Sequence, residues 1–254
     1  MITEEQTQKL SRRFSIDSYS ILREYLQLLF LKYLYELDGS AKIYFKGGTA
    51  IHFLYGSFRF SEDLDFTSLH SPSELKKLSK EVAQRLIVEM EGIELKDLDS
   101  KGHSFSQMLK YRGPLKFPLT IRLEFSLREK PLTSQVSPIE TIFPITPYPL
   151  VTHLSSEELL AEKVRALLIR HKGRDLFDLW FLLSKGVSLR EDYVEEKMKW
   201  YKTTYHRPDL ISSIKNFKEK ELEMDLRKFL PKNYRSFIKE LLNRTLRHLS
   251  VTKS

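Results

Sequence analysis

Cysteine is absent from the chain. Disulfides, thiolate catalysis and thiolate metal sites are therefore excluded together. Long apolar runs are absent too: nothing approaches the ~18 uninterrupted apolar residues that a membrane-spanning helix needs. The opening residues, MITEEQTQKLSRRF, place no apolar stretch behind their charges, so a secretory leader is not expected. His52, His103, His153 and His171 are scattered and form no H-x-x-x-H pair, so each reads as structural rather than as a metal ligand. Internal repeats and low-complexity segments are missing. These absences lead us to expect a cytoplasmic globular protein with no membrane segment. With 254 residues, 41% of them hydrophobic and 12% aromatic, the chain can bury the core of one large domain or of two small ones.

The formal net charge is +8, from 42 Lys/Arg and 34 Asp/Glu. The excess is concentrated at one end. Residues 197–254 carry 15 basic and 6 acidic side chains, which leaves 27 and 28 for the remainder. A basic terminal lobe on a neutral body points to a polyanionic partner. A solvated helical surface is the plainer reading of the same residues. Trp200, Tyr201 and Tyr205 interleave with Lys197, Lys199, Lys202 and Arg207. That pattern suits base stacking on a basic surface, or an ordinary packed helix.

Residues 15–37 repeat apolar side chains at helical spacing and stop at Asp38-Gly39-Ser40. AKIYF reads as a strand, TAIHFLYG as a short helix, and FRFSEDLDFTS as a strand with a turn inside it. Ser71-Pro72 opens an amphipathic helix. A charged connection follows, then a strand over HSFSQMLKYRG. LTIRLEFSL alternates cleanly, with Thr120, Arg122, Glu124 and Ser126 on one face. The stretch 131–151 holds five prolines and reads as a crossover loop and domain boundary. From Ser155 the pattern is helical to the end, and Ser155-Ser156-Glu157-Glu158 resembles a capping box.

The first half contains the chemistry-bearing pattern. In DLDF, Asp63 and Asp65 stand at i and i+2, which on a strand points both carboxylates to one side. Two carboxylates so placed can share hard cations such as Mg²⁺. Glu124 completes a set of three if its strand neighbours theirs. In FKGGTA, Gly47 and Gly48 end a strand and open a helix. Free amides at a helix N-terminus suit phosphate, glycine allows close approach, and Thr49 adds a hydroxyl. A phosphate cradle beside a di-acid metal site is equipment for in-line transfer at a nucleotide phosphate.

KGGTAIHFLYGSFRFSEDLDF resembles the nucleotidyltransferase toxins of the AbiEii/AbiGii family, within the polymerase-β-like nucleotidyltransferase superfamily. The superfamily pattern is a glycine pair, often Gly-Ser, followed by D-x-D or D-x-E; here Thr49 stands after the second glycine, so the hydroxyl position is displaced by one. A second block, ELLAEKVRALLIRHKGRDLFDLWFLL, is similar to the family's lysine helix and its R-D-x-x-D-L. The resemblance covers roughly residues 20–185. It implies that Asp63 and Asp65 are metal ligands and that Ser61 lies near the triphosphate. It also implies that Lys163 contacts the triphosphate or nucleotide and that Asp178 is a second essential acid. Glu124 as third carboxylate rests on strand pattern and superfamily analogy. The implied fold is α+β over residues 1–140, a small sheet flanked by helices, with an all-helical lobe over 150–254.

The implied reaction is Mg²⁺-dependent transfer of a nucleoside monophosphate from an NTP to an acceptor hydroxyl. The better-understood members act on tRNA 3′ ends within toxin–antitoxin systems, so tRNA and a cognate antitoxin are the implied partners. The alternatives are a nucleotidyltransferase acting on a small molecule or a protein hydroxyl, and a non-catalytic RNA- or protein-binding module on the same fold.

In the second block, Lys163, Arg170, Arg174 and Asp178 share one face if the helix is continuous. Gly173 favours a break, with Asp175 capping a new helix. Leu159, Val164, Leu167, Phe177 and Trp180 are candidate core. Lys163, Arg170 and Arg174 form either a phosphate clamp or a surface salt-bridge network with Glu162, Asp175 and Asp178. Arg59 is expected to pair with Asp63 or with phosphate.

Overall fold

The computed structural model describes residues 2–99, 102–113 and 117–251. The chain divides into two units, Met1–Tyr55 with Ser61–His153, and Gly56–Phe60 with Leu154–Ser254.

The first unit opens with α1 (Glu4–Phe14), started by a reciprocal capping box between Thr3 and Gln6. α2 (Ser18–Tyr35) is capped by Asp17 and is buried along most of its length. Then come β1 (Ile43–Lys46), α3 (Gly47–Tyr55), β2 (Leu64–Ser68), α4 (Pro72–Glu89), β3 (Ile93–Asp97), β4 (Ser104–Tyr111), β5 (Leu119–Ser126), β6 (Ser134–Pro138) and β7 (Leu150–Leu154). α4 begins where Ser71-Pro72 predicts, with Ser71 and Glu74 forming a full capping box.

Among the described residues the strands form one sheet in the order β3-β4-β5-β2-β1-β7-β6. Two expectations are corrected here. The charged connection contains an edge strand, β3, whose Leu95 pairs with Leu109 while its charged neighbours turn outward. The proline-rich stretch is not a plain crossover loop: β6 and the start of β7 lie inside it, at the opposite edge. Edge strands tolerate charge and proline because one row of backbone groups needs no partner strand.

The centre of this sheet is an aromatic row. Register aligns Phe45, Phe66, Phe125 and Phe105 across β1, β2, β5 and β4. Phe66 and Phe125 stack at 4.9 Å, and Phe45 and Phe105 flank them at 5.6 and 6.1 Å. All four side chains are buried. One residue along each strand, the pleat turns to the opposite face, and there the residues are polar.

The second unit comprises α5 (Ser156–Arg170), α6 (Gly173–Ser184), α7 (Glu191–Lys199), α8 (Arg207–Lys215), α9 (Glu219–Leu226), a 3₁₀ turn (Lys232–Phe237) and α10 (Ile238–Val251). Leu159, Val164, Leu167, Phe177 and Trp180 are buried, as their spacing predicts. Phe58 belongs to this core: it meets Phe177 edge-on at 5.0 Å and stacks on Tyr234 at 4.5 Å. The Phe60 amide also donates to the Phe229 carbonyl, 2.9 Å away.

At the start of α5 only half of the expected capping box forms. Ser155 accepts from the Glu158 amide, but the Glu158 carboxylate pairs with Lys197 at 2.6 Å. Lys197, which is 1% exposed, also meets Glu162 at 3.3 Å. It is therefore a core ion and not part of a basic surface. Tyr205 is likewise buried, Tyr201 lies under the Arg165 guanidinium at 4.4 Å, and Trp200 is exposed. The three aromatics thus do not form the stacking surface considered above. Lys253 of the basic end lies outside the described residues.

Candidate active site

In the first unit the register builds a polar row beside the aromatic one. Asp65 stands opposite Lys46 on antiparallel β1 and opposite Glu124 on parallel β5, and Glu124 stands opposite Ser106 on β4. The expected adjacency of Glu124 to the D-x-D strand is therefore present. Its carboxylate is engaged by the Arg122 Nε at 2.8 Å. Among the described residues no group of three or more His, Cys, Asp or Glu side chains is gathered closely enough to hold a metal ion.

Gly47 joins the two sequence features. It takes φ +78°, and a Cβ placed there would lie 2.3 Å from Asp65 Oδ2 and 2.9 Å from its Cβ and Cγ. No other residue leaves that space, so the glycine is required both by its backbone conformation and by the carboxylate beside it. α3 starts at Gly47 itself, so its first turn opens next to Asp65.

Asp63 lies just ahead of β2 rather than within it, because the ladder begins at Leu64. Its backbone carbonyl accepts the Thr49 hydroxyl. Thr49 is 1% exposed, and its hydroxyl ties the start of α3 to the turn ahead of β2. Ser61 is half-buried, and its carbonyl accepts from Gln27 at 3.2 Å.

The second unit holds the other predicted residues. α5 ends at His171, which takes left-handed φ 47°, and α6 starts at Gly173, so the break falls where Gly173 predicts. Asp175 does not cap α6; the Gly173 amide is bonded by Asp225 Oδ2 at 2.8 Å. Asp175 instead accepts Arg170 Nε and Nη2, both at 2.8 Å, and Lys163 Nζ at 3.3 Å. Asp178 accepts Arg59 Nε at 2.8 Å and Nη2 at 2.9 Å, and Lys163 Nζ at 2.8 Å. Arg59, Asp175 and Asp178 are buried, and Lys163 nearly so.

Arg59 thus pairs with Asp178 and not with Asp63, because its side chain points into the helical core. Of the two readings of this block, the ion network is present, and it is buried rather than on the surface. Glu162 is outside it, paired with Lys197. Arg174 is outside it too, lying over the Phe229 ring at 5.0 Å. Burial pushes the Asp175 carboxyl up, but Lys163 and Arg170 outweigh it and hold the pKa at about 2. For Asp178, burial is again outweighed, by Arg59 and Lys163, and the pKa is lowered.

The chain matches the family described as nucleotidyl transferase AbiEii toxin, Type IV TA system, over residues 29–247. That span takes in the Gly47–Asp65 corner and the whole Lys163 network. The chain belongs to the AbiEii nucleotidyltransferase toxin family. The activity class, NTP-dependent nucleotidyl transfer, follows from that membership.

Two solved structures share the fold. MenT4, a nucleotidyltransferase toxin of Mycobacterium tuberculosis, is 18% identical with a TM-score of 0.64, covering 100% of both chains. JHP933 from Helicobacter pylori is 23% identical with a TM-score of 0.58, covering 93% of this chain and 94% of that one. At such identities the likeness speaks for the fold alone. No curated protein sequence matches the chain. Among the described residues no helix is long and apolar enough to cross a membrane.

Proposed function

We propose that this enzyme transfers a nucleoside monophosphate from an NTP to the 3′ hydroxyl of a tRNA, with Mg²⁺, in the cytoplasm, as the toxin paired with a cognate antitoxin. The observation that carries the reading is Gly47 against Asp65, which puts a helix N-terminus and a carboxylate in one corner. The donors there are hard carboxylate oxygens, the type that suits Mg²⁺. Gly47 has no side chain to displace the Asp65 carboxylate that lies against it, which supports a cation held at this corner.

Asp63 and Asp65 would hold the metal, with Glu124 the adjoining acid. When bound, Mg²⁺ would neutralise triphosphate charge and make the attacking hydroxyl more acidic. The first-turn amides at Gly47 and Gly48 would receive phosphate oxygens, and Ser61 would lie beside them. In the second unit Lys163 would contact the triphosphate. Asp178 and Asp175 orient its ammonium, and Arg59 and Arg170 balance those two acids. In this reading residues 1–140 carry the transfer chemistry, and 150–254 carry the lysine helix and a basic surface for RNA phosphates.

One observation favours a second reading, in which the acceptor is a small molecule or a protein hydroxyl. Several cations of the basic end are already paired: Lys197 with Glu158, Lys199 with Glu196, Arg207 with Glu191, Arg227 with Glu223 and Arg244 with Glu240. The test is incubation with each α-labelled NTP, Mg²⁺ and total tRNA, alongside Asp65→Ala. Label entering tRNA with the parent enzyme only would support the first reading. Label entering a small-molecule or protein acceptor and no RNA, with unlabelled pyrophosphate released, would favour the second.

A further inference from the structure

We infer that Gln27 is a positioning residue for the metal–nucleotide corner, holding the backbone that presents Asp63; this rests on the function proposed above. α2 is apolar and buried on nearly every side, with Ile21, Tyr25, Leu26, Leu28, Leu29, Phe30 and Leu31 inside. Gln27 sits in that run and is only 2% exposed. Burying a carboxamide is unfavourable unless it is hydrogen-bonded, and a methionine or leucine would pack there without that cost. The amide has a specific target: Gln27 Nε2 donates to the Ser61 carbonyl at 3.2 Å.

The same helix reaches the next residue of the loop. One turn earlier, Arg23 Nη1 meets Glu62 Oε1 at 3.4 Å. The third residue is held from α3, through the Thr49 hydroxyl and the Asp63 carbonyl. Ser61, Glu62 and Asp63 are therefore pinned one after another. They precede the first ladder pair of β2, at Leu64, so the sheet does not fix them. α2 also meets α3 through Glu24 and His52 at 3.4 Å, and α3 begins at Gly47. One helix thus braces both halves of the corner, and Gln27 is the buried member of that brace.

The experiment uses the full chain with Gln27→Met, Arg23→Met and Asp65→Ala. Mn²⁺ binding is read by electron paramagnetic resonance in the presence of a non-hydrolysable NTP analogue, and melting temperature is read alongside. Outer residues that orient a metal site typically change metal affinity 10–100-fold. Gln27→Met should melt within a few degrees of the parent and bind Mn²⁺ about 10–100-fold more weakly. Arg23→Met, at a more exposed pair, should show a smaller loss in the same direction. Parent-like Mn²⁺ affinity in folded Gln27→Met overturns the assignment. If Gln27→Met fails to fold, Arg23→Met decides: weaker binding supports the brace, and unchanged binding overturns it. Asp65→Ala separates the two levels. If it abolishes Mn²⁺ binding while Gln27→Met does not, only the positioning role falls. If it leaves binding intact, the corner itself is not the metal site and the inference falls with it.

Discussion

Asp63 and Asp65 are half-buried at the mouth of a sheet, whereas Asp175 and Asp178 are fully buried among helices. The first pair is placed by backbone: strand register, a positive-φ glycine and a hydroxyl on a carbonyl. The second pair is placed by cationic side chains at 2.8–3.3 Å. The difference separates two uses of a carboxylate. The first pair is part-exposed, on a main chain fixed by ladder and turn. A buried acid matched by internal cations acts through those cations, as a structural and orienting group. Asp178, which the family resemblance implies is a second essential acid, is buried and matched by Arg59 and Lys163.

The largest effect is expected on removing charge from the buried side. Asp178→Asn leaves Arg59 and Lys163 buried with a neutral partner. Deleting one member of a buried ion pair costs about 3–5 kcal/mol, and urea denaturation should show a loss of that size. Asp65→Asn, on the half-exposed side, should abolish transfer with a far smaller change in the urea midpoint.

Next in size is Gly47→Ala. The added Cβ has no room beside Asp65 and the backbone is left-handed. Displacing a catalytic carboxylate by about 1 Å costs about 100-fold, so transfer should fall at least that far. Gly186→Ala sharpens the point. Gly186 has φ +81° but nothing within 4 Å of an added Cβ. It should lose about 1 kcal/mol from backbone strain and keep full transfer activity. Matched melting temperatures with unmatched kcat would show that Gly47 acts through Asp65.

The two sites were unequally legible in the sequence. The D-x-D corner could be read because it is local: FKGGTA and DLDF each carry their geometry in a few residues, and the clean alternation of LTIRLEFSL put Glu124 on the polar face of a strand, whose place beside β2 only the sheet order supplies. The pairing of Arg59 with Asp178 could not, because residue 59 and residue 178 meet only through tertiary packing. Helical spacing put Lys163 and Asp178 on one face, but the left-handed turn at His171 reoriented α6 and made Asp175 a network member instead of a cap. α1 is a polar helix with no apolar run, so its one sequence signal is the T-x-x-Q box. β3 and β6 resemble loops in sequence because edge strands carry the charge and proline that ordinarily mark loops. Gln27 gave no signal at all: one amide in an apolar helix has no spacing to read.

Acid acts on the buried network through Asp175. The Asp175 pKa is about 2 in the folded protein against an ordinary value of 3.8. A depressed carboxylate contributes stability that is fully present above its unfolded pKa and is lost as pH falls through the folded one. The window is therefore about pH 4 down to about pH 2, and the contribution is about 2 kcal/mol. Urea midpoints between pH 5 and pH 2.5 should fall more steeply for the parent than for Asp175→Asn, which starts lower and lacks that part of the slope.

The smallest effect is expected at Arg170, where the buried network reaches solvent. Its side chain is 61% exposed although its Nε and Nη2 bond to Asp175. Water screens an exposed cation, and such pairs contribute about 0.2–1 kcal/mol. Lys163 stays behind to neutralise Asp175, so Arg170→Gln should cost no more than that by urea denaturation. The variant also separates the two readings of the block. If Arg170 only balances Asp175, transfer should change little and the acid window should shift upward slightly, because one of the two groups depressing the Asp175 pKa is gone. If Arg170 also grips phosphate, the KM for NTP should rise several-fold at neutral pH with the urea midpoint unmoved, and the exposed end of this network would then work as the open corner does.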